Sequence, residues 1–419
     1  MPAYYLSSQQ IHITHVKNNQ TLVSYLCNCF TLLFFDITQA VAQSLPPVET
    51  QSPTADYKPA FPGQTRAPGA QTKTKLSVNV INHELKQPFA LRCMPDGRFL
   101  ITEKGGTMRI LKADGGLDKN IQGLPAVAVG GQGGLLDVNF DASFVKDRML
   151  FWSYSEKVPE GFQLAVATGV LSSDYSRLEN VKVIYHAKPA YNGHLQFGSR
   201  IVFDKQGNLF VSTGEHGDDE MRVKAQDLNT AIGKVLHITR DGKPVPDGPF
   251  AQKAGALPEI YAYGLRNPEG MTMNPNTGEL WESEFGPRGG DEINIIRPGK
   301  NYGWPVITYG IEYRGVKVGD GIQQKEGMAQ PIYYWNPSIS PCGITFYTGN
   351  LIPEWKGNLF VGALGGSHII RLIIKDNKIV AEERLLKDKG ERWRSLVTGK
   401  DGALYGVTDN GNLYKISKL

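Results

Sequence analysis

The sequence predicts an all-β fold, a six-bladed β-propeller, and three observations support this prediction. A turn ending in glycine, followed by a bulky apolar strand, recurs six times after residue 76 at intervals of roughly 45 to 80 residues. Glycine supplies 47 of the 419 residues, about 11% where about 7% is usual. Helical periodicity is rare, and residues 225–232 are the best short candidate. A β-sandwich pair or a β-helix is the alternative, but a β-helix needs a shorter and more even period.

Each repeat is interpreted as a tight turn, where glycine accepts a positive φ, leading into a central strand. Several repeats continue into another short strand. The strand starting at Ser77 is expected to pair with the last blade, which would close the ring. The six repeats are DGRFLIT at Asp96, the weaker KDRMLFWSY at Lys146, QGNLFVSTG at Gln206, TGELWES at Thr277, KGNLFVGALG at Lys356 and DGALYGVTD at Asp401.

The first 75 residues are predicted to lie outside the propeller. Residues 22–35 are mostly apolar and are followed by small residues at 40–42, which predicts a signal peptide over 1–42 and a periplasmic or secreted protein. An uncleaved anchor and a wrongly assigned start are the alternatives, although 14 residues are few for a membrane span. Residues 43–75 are rich in proline and lack apolar periodicity, which indicates a linker or surface arm. The propeller is expected to occupy 76–419, with no membrane span in the mature chain.

Charge and cysteine content exclude some functions and leave others open. A net charge of +4 over this length gives no support for binding nucleic acid or an anionic membrane surface. Outside the predicted signal only Cys93 and Cys342 remain. They could form a disulfide in an exported protein or remain as two buried thiols, and the sequence does not decide between these. No nucleophile elbow, Walker loop, dinucleotide fingerprint or His-Glu-x-x-His helix is present.

Three polar segments are candidates for the functional site. Residues 259–271 place Arg266 and Asn267 before a proline, and an arginine fork suits a carboxylate or quinone oxygen, or loop carbonyls. Residues 281–305 combine acidic side chains with glycines, which suits either Ca²⁺ or a solvated loop held by ion pairs. Residues 191–204 contain His194, which could abstract a proton near neutral pH or serve a structural role.

Taken together in this order, the segments resemble the glucose/sorbosone dehydrogenase family, the soluble quinoprotein aldose dehydrogenases, over about residues 77–418. The family has a six-bladed propeller that binds pyrroloquinoline quinone (PQQ) with Ca²⁺ at one end of the ring. It oxidises the anomeric hydroxyl of aldose sugars to lactones and passes electrons to an external acceptor. The segments that carry the resemblance are GGQGGLLDVNFDASF, FGSRIVFDKQGNLFVSTGE, AQDLNTAIGKVLHI, YGLRNPEGM, FGPRGGDEINIIRPGKNYGWP and RWRS.

The resemblance implies roles for individual residues. Arg266 and Asn267 would hold the quinone oxygens, and Arg392 and Arg394 would hold carboxylates of PQQ. Gln132 and Glu215 match positions near the sugar and the catalytic base. The positions implied for calcium or for bracing its loop are the carbonyls of Gly286 and Pro287, together with Asp291, Glu292 and the Tyr302 backbone.

Two departures from the family pattern bear on the chemistry. The family's base is a histidine four residues before the arginine of a Gly-x-Arg turn, which is Arg200 here, and Gln196 occupies that position. Either the loop is remodelled so that His194 reaches the site, or the base is missing. Where some relatives place a lysine against the quinone, this chain is expected to place Thr348.

The sequence therefore predicts a PQQ- and calcium-dependent aldose sugar dehydrogenase. One alternative is a binding propeller that has lost the oxidation chemistry, which the glutamine at 196 favours. A calcium-dependent lactonase is a further alternative, but such sites usually draw ligands from several blades, whereas the candidate ligands here lie in one loop.

Overall fold

The computed structural model describes residues 45–419 and contains six four-stranded antiparallel sheets. Five sheets consist of consecutive strands, and the sixth combines the last three strands of the chain with the first strand. In that sheet Leu76 pairs with Lys418 and Asn82 with Leu413, so the strand at Ser77 closes the ring as predicted. The predicted six-bladed propeller is confirmed.

The structure has 24 strands in these residues; from β2 to β21 each four successive strands make up one blade, and β22 to β24 form the sixth blade together with β1. The strands are β1 Leu76–Asn82, β2 Pro88–Cys93, β3 Phe99–Glu103, β4 Thr107–Leu111, β5 Leu117–Ile121, β6 Leu135–Asn139, β7 Met149–Val158, β8 Gly161–Leu171, β9 Leu178–His186, β10 Gly198–Phe203, β11 Leu209–Thr213, β12 Lys234–Ile238, β13 Ile260–Tyr263, β14 Pro268–Met273, β15 Leu280–Glu284, β16 Asp291–Ile296, β17 Tyr333–Trp335, β18 Pro341–Phe346, β19 Leu359–Ala363, β20 His368–Lys375, β21 Lys378–Leu385, β22 Trp393–Thr398, β23 Leu404–Thr408 and β24 Leu413–Lys418.

Between residues 45 and 419, helical structure is limited to short turns. They are α1 Phe144–Asp147, α2 Asp219–Arg222 and 3₁₀ turns at Val223–Gln226, Pro353–Trp355 and Lys387–Lys389. The helix expected at 225–232 is wrong, because the 3₁₀ turn ends at Gln226. The buried Lys234 ammonium donates to the carbonyls of Lys224 and Ala225, which a continuing helix would use for its own hydrogen bonds. No helix within the described range is long and apolar enough for a membrane span.

The six sequence repeats correspond to the turn before the second strand of each blade and to that strand itself. In five of them the turn glycine has a positive φ, between 73° at Gly278 and 93° at Gly97. In the weaker repeat Arg148 takes this position with φ 49°. The repeated pattern was therefore a pattern of turn geometry, as the sequence indicated.

The first strand of each blade lines the central axis, because each of these strands contacts the first strands of both neighbouring blades. All six start at the same end of the ring, which we call the upper face. Loops that precede the first strands, and loops that join second to third strands, meet there. Between the sheets lie apolar clusters that contain the fully buried rings of Trp152, Trp281, Trp355 and Trp393.

The predictions for the cysteines and for the signal peptide have different outcomes. Within residues 45–419, Cys93 and Cys342 are free thiols that do not bond to each other, so the predicted alternative of a disulfide between them is wrong. Cys93 ends β2 at the lower end of the ring, whereas Cys342 lies near the start of β18 at the upper end. The predicted signal peptide, 1–42, lies outside the described residues.

Candidate active site

Arg266 is the centre of a polar cluster at the upper face, where it leads into β14. Its Nη1 donates to the carbonyl oxygens of Gly286 (2.7 Å) and Phe285 (3.1 Å). Its backbone N–H donates to a carboxylate oxygen of Glu284 at 2.5 Å. The side chain is only 7% exposed, and among the described residues no hydrogen-bond partner contacts the buried Nε. Arg266 is thus held rigidly while keeping one donor unused.

Gln196 contacts both Arg266 and Glu215. With its amide oriented to satisfy its neighbours, Nε2 donates to Glu215 Oε1 (2.5 Å) and the oxygen accepts from Arg266 Nη2 (2.9 Å). The Gln196 backbone N–H donates to Gln132 Oε1 at 2.7 Å. Four of the predicted site residues, Gln132, Gln196, Glu215 and Arg266, therefore come together, with a neutral amide where the resemblance places a histidine.

His194 occupies a different place from Gln196. Its exposed ring packs on Phe162, with ring centroids 4.0 Å apart, and its carbonyl accepts from the Gln132 N–H. Gln196, not His194, contacts Arg266 and Glu215. His194 and Gln196 are only two positions apart, but their side chains lie in different places because Gln196 has a left-handed backbone (φ 49°) that turns the chain into β10.

Glu215 is the buried acid of this cluster. It is 1% exposed, and burial raises its pKa to about 7, although Arg266 opposes the shift. Its Oε1 lies 3.8 Å from Arg266 Nε, and its Oε2 accepts from the Gly217 N–H at 3.2 Å. A carboxyl that titrates near neutral pH beside a fixed guanidinium can exchange a proton with a ligand.

Arg392 and Arg394 share one carboxylate, that of Asp409. Arg394 Nε donates to Asp409 Oδ1 (2.9 Å) and Arg392 Nε to Asp409 Oδ2 (2.9 Å). Arg394 also donates to Glu269 Oε2 at 2.8 Å, and its side chain is 11% exposed against 49% for Arg392. Arg394 therefore belongs to the interior of the upper face and Arg392 to its rim.

Two predicted cofactor contacts do not fit the structure. Asn267 is fully buried, with Oδ1 accepting from the Gly198 N–H and Nδ2 donating to Glu269, so it braces the strands instead of facing a ligand. Thr348 follows the lower end of β18, and its N–H donates to Thr398 at the lower end of β22. A six-residue strand spans roughly 20 Å, so Thr348 lies far from the upper face.

The loop between β15 and β16, residues 285–290, carries the two carbonyls predicted to face calcium. The Gly286 carbonyl accepts from Arg266, and the Pro287 carbonyl accepts from Ser338 Oγ at 3.3 Å. Each carbonyl oxygen has a second lone pair and keeps capacity for a cation. Asp291 accepts from the backbone N–H groups of Gly286, Ile339 and Ser340 at 2.6 to 2.8 Å, so its carboxylate braces this loop.

Three buried glutamates lie beneath this loop: Glu282, Glu284 and Glu292. All three accept from the single Nδ2 of Asn294, at 3.2 to 3.4 Å, and burial raises the pKa of each. Glu282 Oε1 has no hydrogen-bond partner in the part of the chain that the structure describes. Glu284, Glu292 and Tyr302 also line a cavity of about 10 Å³. This surplus of oxygen acceptors over donors has the chemistry of a cation site.

As they stand, the side chains do not form a complete metal cage. Within 45–419, no group of three or more His, Cys, Asp or Glu side chains converges in a way that could hold a metal ion. The Tyr302 hydroxyl is occupied by the Ile295 carbonyl and the Arg297 N–H. The three glutamates converge on an amide instead, so a cation would have to draw them inward.

The sequence interpretation missed several charged residues of the upper face. Glu269 and Asp409 both lie in recognised segments, but the local motifs do not reveal their pairing with Arg394: Glu269 in β14 reaches it from another blade, and Asp409 reaches it from the end of β23 in the same blade. Lys104, in the turn after β3, donates to the Gly131 carbonyl at 2.9 Å, and burial lowers its pKa. The available signal was a charged residue such as Glu269 at the upper end of a strand that lines the axis, where an ionisable group is expected to face the site.

The comparisons with known proteins agree with this geometry. A family model described as glucose/sorbosone dehydrogenase matches residues 85–415. The aldose sugar dehydrogenase YliI of Escherichia coli K12 is 41% identical over 347 residues, which cover 82% of this chain and 93% of that protein. The crystal structure of the soluble E. coli aldose sugar dehydrogenase in its apo form has a TM-score of 0.79 at 40% identity, covering 82% of this chain and all of that one.

A third similar structure is the PQQ-bound form of an aldose sugar dehydrogenase from Streptomyces coelicolor. It has a TM-score of 0.67 at 25% identity and covers 83% of this chain and 99% of that chain. The family match spans most of the propeller, including every residue of the upper-face cluster. The chain belongs to the glucose/sorbosone dehydrogenase family.

Proposed function

We propose that this protein oxidises aldose sugars at C1 to lactones, with PQQ and calcium bound at the upper face. The observation that carries the proposal is the contact of Arg266 with Gln196 and Glu215 beside loop 285–290. One cluster therefore contains the fixed guanidinium of Arg266, the titratable carboxyl of Glu215 and backbone carbonyl oxygens that can still bind a cation. The similar proteins named above are aldose sugar dehydrogenases, and one of them was solved with PQQ.

The residues present fit an anionic quinone. The buried Nε of Arg266 has no hydrogen-bond partner among residues 45–419, and a quinone oxygen would satisfy it. Arg394, Arg392 and Lys104 supply further positive charge for carboxylates, as arginine forks commonly do. When bound, PQQ supplies the acceptor for the hydride from C1, and calcium would make it a stronger acceptor.

Calcium is proposed at loop 285–290, with the Gly286 and Pro287 carbonyls as ligands. Asp291 fixes this loop through its three backbone hydrogen bonds. Glu284 and Glu292 beneath the loop provide a second candidate position for a cation, because their carboxylates are buried with too few donors. Carboxylate and carbonyl oxygens are the ligands that calcium prefers.

Glu215 is proposed to take the proton from the sugar hydroxyl. An amide such as Gln196 cannot accept it, and the ring of His194 packs on Phe162 outside the cluster. Gln196 would orient Glu215 and Arg266 toward the substrate, since it bonds to both. Export from the cytoplasm and delivery of electrons to a separate acceptor complete the proposal, as in the resemblance noted above.

A binding propeller without catalysis is the second candidate, and Gln196 is the observation that favours it. The buried Nε of Arg266 and the pKa of Glu215 argue for chemistry instead. A lactonase is disfavoured, because Glu282, Glu284 and Glu292 all come from the same blade and not from several blades around the axis.

The deciding experiment adds PQQ and Ca²⁺ to the purified protein and measures dye reduction with a panel of aldoses. We expect turnover that requires PQQ and is lost in Arg266→Ala. Thr348→Ala, on the lower face, is the matched control and should behave like the wild type. PQQ binding without turnover would favour the binding propeller, and ester hydrolysis with Ca²⁺ alone would favour the lactonase.

A further inference from the structure

Residues 45–75, here called the arm, are docked onto the propeller. Gln64 is fully buried, and its Nε2 donates to the Pro331 carbonyl at 2.8 Å. Glu49 of the arm pairs with Arg384 of β21 at 2.8 Å. A proline-rich segment without regular structure would not bury such groups unless it held a fixed position. The arm precedes the range matched by the family model, which begins at residue 85.

Arg66 fastens the arm to itself and to the propeller. Its guanidinium donates to the carbonyls of Glu49 (2.9 Å), Gln51 (2.6 Å) and Asn336 (3.0 Å). Its backbone has φ 50°, a left-handed conformation that residues other than glycine rarely adopt. Three carbonyls on one side chain explain how this conformation is maintained.

The arm reaches the candidate calcium loop through Asn336. The Thr54 N–H donates to Asn336 Oδ1 at 2.7 Å. A Cβ added to Gly289 would lie 2.8 Å from that same oxygen and 3.3 Å from Thr54 Oγ1, so both contact the loop closely. Two residues after Asn336, Ser338 Oγ accepts from the Gly289 N–H (2.7 Å) and donates to the Pro287 carbonyl (3.3 Å).

A second contact reaches the loop through Tyr309. Its hydroxyl lies 3.1 Å from Gln64 Oε1 and 2.6 Å from Gln330 Oε1, and its ring stacks on Tyr334 with centroids 3.9 Å apart. The adjacent Gly310 packs so closely on Gly290 that a Cβ on Gly290 would lie 2.5 Å from the Gly310 nitrogen. The arm therefore supports loop 285–290 from two sides.

We propose that the arm is a positioning element that fixes loop 285–290, and that it thereby sets how tightly the protein holds its cofactor. The first part rests on the contacts above alone. The second part rests on the proposed function, because it assumes that PQQ and calcium bind beside this loop. Arg66 is the residue through which both parts can be tested, since it touches neither the loop nor Arg266.

The test compares Arg66→Ala with Glu354→Ala in the full-length protein. Glu354 holds the other end of the arm by accepting from the N–H groups of Lys73 and Thr74, far along the arm from the loop. Hydrogen exchange of the cofactor-free protein should show peptides over 285–291 exchanging about tenfold faster in Arg66→Ala, equivalent to ~1.4 kcal/mol. These peptides should be unchanged in Glu354→Ala. Arg66→Lys, which retains one charged donor, replaces Arg66→Ala if the latter does not fold.

The second readout is the Kd for PQQ in the presence of Ca²⁺. We expect it to rise about tenfold in Arg66→Ala and to stay at the wild-type value in Glu354→Ala. Faster exchange confined to the arm, with loop peptides and Kd unchanged, would overturn the proposal. If the wild type binds no PQQ, the proposed function fails, whereas the exchange result still decides whether the arm positions the loop.

Discussion

Replacing Glu215 with glutamine removes the proposed proton acceptor while keeping the size and hydrogen-bonding capacity of the side chain. Removal of a general base typically lowers the rate by about 10²- to 10⁴-fold, so kcat/KM should fall within that range. The PQQ affinity should change much less, because Arg266 and Arg394 remain. A loss confined to cofactor affinity would instead give Glu215 a structural role.

The pH dependence gives the sharper form of this prediction. A base must be ionised, so activity should rise with pH through the pKa of Glu215, which burial raises to about 7. About one-tenth of Glu215 would be ionised at pH 6, half at pH 7 and nine-tenths at pH 8. The charged groups that affect this carboxyl are Arg266, Arg222 and Asp218. Wild-type kcat/KM should therefore increase about fivefold from pH 6 to pH 7, and Glu215→Gln should lack this limb.

The free energy of unfolding should fall as pH rises, in contrast to kcat/KM, which should increase. The folded-state pKa is raised above the unfolded value of 4.5, so the folded protein keeps a proton that the unfolded chain loses. The resulting loss of stability develops as pH rises from 4.5 through 7 and amounts to about 3 kcal/mol. Glu215→Gln should accordingly raise Tm by about 4 °C at pH 8 and hardly at all at pH 4.

The assay is dye reduction across pH 5.5 to 8.5, using sugar with hydrogen or deuterium at C1 to establish that C–H cleavage limits the rate. Thermal unfolding at pH 4 and pH 8 provides the independent readout. A flat wild-type profile together with more than one-tenth of wild-type activity in Glu215→Gln would refute the assignment. A lowered Tm for that variant at pH 8 would refute the account of its pKa.

Four further outcomes are expected. Gln196→His should raise kcat/KM at least tenfold at pH 7 by supplying an imidazole at the contact with Arg266; unchanged activity with intact folding would show that Glu215 suffices. Asp291→Ala should lower the free energy of unfolding by about 3 to 5 kcal/mol, because three buried N–H groups lose a charged acceptor; a denaturant midpoint equal to that of the exposed control Asp241→Ala would contradict this. Millimolar Ca²⁺ should raise Tm more at pH 8 than at pH 5, since the glutamates of β15 and β16 must lose protons to bind it; equal shifts at both pH values would exclude them as ligands. Arg394→Ala should weaken PQQ binding at least tenfold in a fluorescence titration; wild-type affinity would remove it from the cofactor site.

The blade pattern could be predicted because it depends on local chemistry. Gly97 and the equivalent glycines mark turns that need a positive φ, and a glycine indicates such a turn without any information about distant residues. Thr348 was misplaced because its position depends on the direction in which β18 runs through the ring. Asn267 was assigned to the cofactor because its burial depends on β10 and on Glu269, neither of which the local motif reveals.

Ion pairs between blades could not be predicted from the sequence pattern either, because they also depend on the tertiary arrangement of the strands. Arg394 and Glu269 are 125 residues apart, and their contact exists only once the ring closes. The sequence left a free linker and a surface arm as alternatives for residues 43–75, since a proline-rich composition is the same in both. The arm's bonds through Arg66 and Gln64 depend on carbonyls and side chains of distant blades.

Gln196 and the raised pKa of Glu215 are two aspects of one arrangement. A histidine at position 196 would take up a proton beside Glu215, and that positive charge would lower the pKa of the carboxyl. The neutral amide leaves burial as the dominant influence, and Glu215 keeps its proton up to about pH 7. The glutamine at the position where the resemblance places a histidine base thus leaves the neighbouring acid in the pH range where, in the proposed mechanism, it takes the proton. Gln196→His should therefore shift the Glu215 titration to lower pH, which a carboxyl carbon NMR titration of the cofactor-free protein would detect.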